Sequence, residues 1–242
     1  MCALKLHHSM TWAEKRSAMR AHLASEDLDS FLRWSTVEGN FWVGEAPYIP
    51  DEYNALEARW KRVLYAEGFG ARNITVYATS GNLIHQAYHA QVFETLADCQ
   101  LDTLDEILEI GPGYGALAAL IFRQGFMGTY YSYDFVEMQR LQEHYLGKSK
   151  RLNFCKTPVD CPINPDLFIG IHSFSEMEVY ERDGLLSVIN PRIFFFLYAS
   201  YFDGEDNSKY FEGVVRKCKN YMWSSQVSPA FDNHHYLVGV KK

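Results

Sequence analysis

The residues best placed to do chemistry stand in one short run, Glu109-Ile110-Gly111-Pro112-Gly113-Tyr114-Gly115, where an apolar stretch enters a glycine-rich turn. Glycine turns tightly and lets a ligand approach the backbone with no Cβ in the way. A second acid, Asp134, ends the next apolar stretch. It follows the turn by about twenty residues, the separation at which a carboxylate accepts hydrogen bonds from both ribose hydroxyls of a nucleoside. The glycine spacing separates two ligand classes. Dinucleotide folds use GxGxxG to seat a pyrophosphate at a helix N-terminus, whereas this run reads GxGxG with an acid two residues ahead of it. Glu109 would repel a pyrophosphate and help to hold a zwitterionic amino-acid group, directly or through water.

Together these residues resemble the class I S-adenosylmethionine methyltransferases, whose first motif is an acid followed by GxGxG and whose second ends in a ribose-binding acid. The resemblance spans roughly residues 102–242. It implies that Glu109, Gly111, Gly113 and Gly115 line the methionine and adenosine portions of S-adenosyl-L-methionine and that Asp134 takes the ribose. Tyr114, Phe135 and Ser173, in the adjoining turns, complete the expected cofactor set. A narrower resemblance is to sugar O-methyltransferases. It rests on Asp134-Phe135-Val136-Glu137, Leu141-Gln142, Tyr145-Leu146 and Ser173-Phe174-Ser175-Glu176-Met177. Proline is absent after Asp134, where that family often has one, and the first 75 residues add little to the likeness.

The resemblance implies direct transfer of a methyl group from a sulfonium to an acceptor nucleophile, helped by in-line positioning and exclusion of water. An oxygen nucleophile must also lose a proton. A base is expected near the end of the fourth strand, which nominates His172 by its near-neutral intrinsic pKa and Glu176 one helical turn later. The plainer readings are a strand-end cap for His172 and a dipole-favoured helix acid for Glu176. The acceptor is expected to be a small molecule, a sugar or related hydroxylated metabolite. Methylation on nitrogen, and a non-catalytic cofactor-binding or scaffolding protein of the same fold, are the alternatives. Aminopropyl transfer would need acid-rich loops after the fourth strand, and these are missing.

Such a site needs strands that end together and helices that close over them. From Leu104 onward, short apolar runs alternate with helix-length segments, as buried parallel strands in βαβ units do. Strands are expected at Glu106–Ile110, Thr129–Tyr133, Leu152–Cys155, Leu167–Ile171, Ile193–Tyr198 and Tyr236–Val240, with helices at Ala116–Gln124, Val136–Leu146 and Glu178–Val188. The fold class is therefore α/β, a Rossmann-like, doubly wound, mostly parallel sheet that binds ligands beyond the carboxyl ends of its strands. Residues 1–101 are expected to form a helical extension and 102–242 the cofactor-binding domain. In the extension, Tyr53, Leu56, Trp60, Val63 and Leu64 predict one helix from Asp51 to Gly68, and Ile84, Tyr88, Val92 and Leu96 a stripe on a second from Asn82 to about Asp98. The second helix can roof the cleft, so Ser80, Asn82, Tyr88 and His89 are candidate acceptor contacts.

Several tempting features have plainer readings. His85 and His89 stand four apart like zinc ligands, but Gln86 replaces the glutamate base of a metalloprotease, and no metal is expected. Gly147-Lys148-Ser149 looks like the tail of a P-loop, yet Gln142 stands where its first glycine should be. His234 and His235 read as a solvated turn, Phe194-Phe195-Phe196 as core strand, and Trp34, Phe41, Trp42 and Tyr48 as packing for the extension. The net charge of −7 over 242 residues gives no general basic field for nucleic acid or an anionic membrane. Cys2, Cys99, Cys155, Cys161 and Cys218 are odd in number and lack a CxxC pair, so they read as reduced thiols. With no apolar run of about 18 residues and no signal-like h-region, a cytoplasmic protein is expected, with homo-oligomerisation left open.

Overall fold

This computed structural model of the protein describes residues 11–41 and 46–242. Its centre is a seven-stranded sheet of β1 (Glu106–Ile110), β2 (Thr129–Tyr133), β3 (Leu152–Cys155), β4 (Leu167–Ile171), β5 (Ile193–Ala199), β6 (Tyr221–Val227) and β7 (His234–Lys241), ordered β3-β2-β1-β4-β5-β7-β6. Strands β1 to β5 pair in parallel, and β7 runs antiparallel between β5 and β6. The chain leaves β1 for β2 on one side and returns for β4 on the other, which opens a crevice beyond the carboxyl ends of β1 and β4.

Four short helices precede the sheet in the chain: α1 (Trp12–Ser25), α2 (Ser35–Phe41), α3 (Ile49–Ala55) and α4 (Ala58–Val63). Both faces of the sheet are covered. On one face α5 (Gly81–Ala97), α6 (Ala116–Gln124) and α7 (Val136–Leu146) pack on Ile107, Ile169, Phe195, Leu197 and Val238. Beyond β4 the chain forms the one-turn α8 (Ser173–Glu176). On the other face, Leu185 of α9 (Val179–Val188) and Phe211 and Val214 of α10 (Asn207–Lys217) pack on Leu108, Phe168, Phe194 and Phe196. The Phe194-Phe195-Phe196 run is thus divided between two cores, as alternation in a strand buried on both faces requires. No helix among the described residues is long and apolar enough to cross a membrane.

The expected bounds of β1 to β4, α6 and α7 coincide with the observed ones, and β5 and β7 run slightly further. Four expectations are corrected. The helix from Asp51 to Gly68 is two, α3 and α4, because Gln91 of α5 bonds both backbone groups at the break, accepting from Glu57 N at 2.6 Å and donating to Ala55 O at 2.9 Å. Helix α5 has no single apolar stripe; it is buried nearly all round, and Tyr88 and Leu96 are among its less buried residues. Strand β6 and helix α10 were not expected. Most of β6 exposes its side chains at the sheet edge, so it carries no apolar run. His234 opens β7 instead of lying in a solvated turn. Cys2, Trp42 and the side chain of Phe41 lie outside the described residues. Trp34 is 2% exposed and packs in the core as expected.

Candidate functional site

At the carboxyl end of β1 the backbone has positive φ at Gly111 (62°), Gly113 (61°) and Gly115 (97°). Gly111 is constrained twice: a Cβ there would meet the Ser173 Cβ at 2.4 Å. Ser173 opens α8, and its hydroxyl donates to Ile110 O, tying the end of β4 to the glycine turn. Gln142 of α7 ties the turn to β2. Its amide donates to Gly113 O at 2.6 Å and to the Asp134 carboxylate at 3.2 Å, while its carbonyl accepts from Ser132 Oγ at 2.5 Å. In the sequence Gln142 stands out only for its place in the α7 pattern; its positioning role needs the three-dimensional contact.

Glu109 is buried on the α5 and α6 face, where its carboxyl accepts from the Tyr130 hydroxyl. Burial raises its pKa to about 8, the Tyr130 hydrogen bond opposes this, and the charge of Asp134 adds to it. Burial also raises Asp134, to about 7, against hydrogen bonds from Phe135 N, Gly113 N and the Gln142 amide. Among the described residues no lysine or arginine pairs with either acid.

Helix α1 lies across this end of the crevice. Trp12 packs on Phe135 with ring centroids 5.8 Å apart, Arg16 stands over the same ring at 4.4 Å, and Arg16 and Arg20 pair with Glu137 at 3.1 and 2.6 Å. Glu176 also lies near α1: burial raises its pKa, and Lys15 and Trp12 oppose that rise. Glu176 is therefore a contact of α1.

The four candidate acceptor residues fall into two groups. Ser80 and Asn82, at the start of α5, line a small cavity with Glu67, Leu32, Val37 and Tyr114. There the Asn82 amide donates to the Tyr114 hydroxyl, and the Tyr114 and Tyr145 hydroxyls donate to Glu67 at 2.9 and 2.7 Å. Tyr114 thus turns its hydroxyl to a buried acid, a contact that its position between two glycines did not reveal.

Tyr88 and His89 lie further along α5, towards an imidazole cluster. The rings of His85 and His89 are 4.0 Å apart, those of His89 and His172 6.5 Å, and those of His172 and His234 4.9 Å. His85 Nδ1 bonds the buried Glu52 carboxylate at 2.8 Å, and His89 Nδ1 bonds the Tyr236 hydroxyl at 2.7 Å. His172, at the carboxyl end of β4, has φ 58° and ψ −57°, a conformation strained for any residue but glycine. Three bonds hold it: its N–H donates to Leu197 O at 2.7 Å, and its carbonyl accepts from Ser175 N at 2.8 Å and Glu176 N at 3.2 Å. Burial and the neighbouring imidazoles lower His172 to about 3, and burial followed by the other three histidines lowers His89. Among the described residues no group of three or more His, Cys, Asp or Glu is arranged to hold a metal ion.

Neither a protein-family model nor a curated protein matches the sequence. Solved structures do match the fold. The methyltransferase domain of a bacterial Hen1 is 11% identical over 65% of this chain and 98% of its own, with a TM-score of 0.51. The Methanococcus jannaschii fibrillarin pre-rRNA processing protein is 11% identical over 64% and 73%, with a TM-score of 0.50. Magnesium protoporphyrin IX methyltransferase from Synechocystis PCC 6803, solved with bound SAM, is 17% identical over 81% and 96%, with a TM-score of 0.49. This chain, a mostly parallel seven-stranded sheet with helices on both faces, shares its Rossmann-like α/β fold with the first two of these structures.

Proposed function

We propose that this protein is an S-adenosylmethionine-dependent methyltransferase that transfers the methyl group to an oxygen of a small-molecule acceptor. The observation that carries the reading is the pairing of a buried and a half-buried acid, Glu109 and Asp134, on neighbouring parallel strands around a glycine turn, with no lysine or arginine paired to either among the described residues. Acids in that state suit a ligand that brings both positive charge and hydroxyl donors, and S-adenosylmethionine has a sulfonium, an ammonium and a ribose. Two of the matching solved structures, with TM-scores of 0.51 and 0.50, share the fold, and one of them is a methyltransferase domain; the activity itself rests on the acids.

Bound there, the cofactor supplies an electrophilic methyl group. Asp134 would accept from the ribose hydroxyls, Glu109 would face the methionine ammonium directly or through water, and the backbone of Gly111, Gly113 and Gly115 would line the methionine and adenosine. Tyr114, Phe135 and Ser173 would shape the same cleft. Helix α1 would exclude water from it through Trp12. For the acceptor proton the candidate is His172, at the carboxyl end of β4, with Glu176 as the second candidate. Ser80, Asn82, Tyr88 and His89 are the proposed acceptor contacts, and a sugar or related hydroxylated metabolite is the acceptor class.

The test is calorimetric titration with S-adenosylhomocysteine, with NADH as control ligand and Asp134→Ala as control protein. Binding by the wild type alone, with none to NADH, is the expected result. Failure of a folded wild-type protein to bind S-adenosylhomocysteine would overturn the reading.

A further inference from the structure

The imidazole cluster contains two ring nitrogens, His89 Nε2 and His234 Nδ1, that are buried and have no hydrogen-bond partner among the described residues. One orphaned buried polar atom is uncommon in a folded protein, and leaving it unpaired costs about 1–3 kcal/mol. Here two lie in one cluster, on α5 and at the start of β7, on either side of His172 at the crevice edge. His89 is 1% exposed, and its ring is oriented by Tyr236, which leaves Nε2 as its free atom.

The surroundings define what can pair with these atoms. Aromatic rings pack around the cluster: the Phe231 ring centroid lies 4.7 Å from that of His234, and the Tyr48 centroid lies 5.1 Å from that of Phe231 and 5.2 Å from that of His85. The one carboxylate bonded into the cluster, Glu52, is occupied by His85. Among the described residues no lysine or arginine is hydrogen-bonded or ion-paired to any of the four imidazoles. Burial lowers the pKa of His89, His172 and His234, so at neutral pH they carry no charge to balance an anion. A phosphate or carboxylate buried here would lack a counter-charge. A neutral hydroxylated ring would meet aromatic rings and two waiting hydrogen-bonding atoms.

We propose that this imidazole cluster forms the acceptor site, that its ligand is an uncharged ring bearing hydroxyl groups, and that His89 Nε2 and His234 Nδ1 are its polar anchors. The inference rests on the methyltransferase reading and adds the charge class of the acceptor and the residues that recognise it. Neutral hydroxylated rings can be saturated, as in a sugar, or aromatic, as in a phenol, and the cluster's chemistry is common to both.

The experiment loads the full chain with S-adenosylhomocysteine and then titrates methyl glucoside, catechol, glucose 6-phosphate and phenyl phosphate in separate calorimetric runs. At least one neutral ring should bind, at least tenfold more tightly than its phosphorylated counterpart. The methyl glucoside and catechol arms tell sugar from phenol. His89→Phe and His234→Phe should each weaken that binding about tenfold while S-adenosylhomocysteine affinity stays at the wild-type value. His89→Gln, which returns a polar atom near the Nε2 position, should recover part of it. Equal or tighter binding of the phosphorylated rings, no binding of either neutral ring to the loaded protein, or full retention in both Phe variants would overturn the proposal. Failure to bind S-adenosylhomocysteine in the loading step would instead count against the methyltransferase reading.

Discussion

The glycine-turn end of the crevice and the imidazole cluster carry opposite chemistry under the same physical pressure. Burial raises the acids Glu109 and Asp134 to about 8 and about 7, and it lowers the bases His89 and His172, the latter to about 3. Both ends are therefore driven towards neutrality. The acids regain charge only if a cation or strong donors arrive, whereas the imidazoles remain neutral and await a hydrogen-bond partner. One crevice can thus hold a cationic cofactor beside an uncharged acceptor without a lysine or arginine sorting them.

The contrast is lost most completely if the glycine turn is blocked. Gly111→Val places a branched side chain at φ 62° and against Ser173. The expected result is a loss of about 2–4 kcal/mol of stability in urea unfolding together with loss of S-adenosylhomocysteine binding. Glu109→Gln separates function from stability at the same end. The variant keeps a neutral, hydrogen-bonding side chain beside Tyr130 and removes a carboxyl whose ionisation opposes folding above about pH 4, so its unfolding midpoint at pH 7 should lie at or above wild type while cofactor affinity falls about tenfold or more.

The pH dependence probes both ends at once, because they act on opposite limbs. Asp134 and Glu109 have folded-state pKa values above their unfolded values near 4. Their contribution to stability is therefore present below pH 4 and lost as pH rises through about 7 and about 8. His89, His172 and His234 are lowered, so their contribution is present above their unfolded pKa near 6.5 and lost as pH falls towards the folded values. Together they place the stability maximum of the ligand-free protein near pH 6.5, measurable as a maximum in urea midpoint. Glu109→Gln should flatten the alkaline limb and steepen the acid limb, because the loss of stability from Glu109 spans both. Cofactor binding to ionised Asp134 should release a proton, which raises S-adenosylhomocysteine affinity about tenfold between pH 6 and 8.5.

The smallest effect is expected from the clasp of α1. Arg16 and Arg20 are 37% and 56% exposed where they meet Glu137, so replacing both by alanine should cost less than about 1 kcal/mol in unfolding experiments. A larger loss of cofactor affinity than of stability in that double variant would show α1 acting as a cover over the cleft.

Much of the frame was legible in the sequence. The continuous apolar runs of β4 and β5, the glycine turn between β1 and α6, and the acid at the end of β2 are local patterns, and a continuous apolar run survives folding when the strand is buried on both faces. What escaped was nonlocal. The α3–α4 break depends on Gln91 from a distant helix, and β6 is an edge strand whose pairing with β7 replaces the apolar signal it lacks. Glu176 read as a base, but in the fold it also meets Trp12 of α1.

The sequence by itself therefore determined the βαβ frame and the order of acid, glycines and second acid, because spacing along one chain is enough to specify a turn. Only the tertiary structure brought His85, His89, His172 and His234 together from α5, the end of β4 and the start of β7. It also divided Ser80 and Asn82 from Tyr88 and His89 along one helix. Convergence of side chains, and the pKa shifts that burial produces among them, depend on which elements pack against one another, and sequence spacing does not encode that.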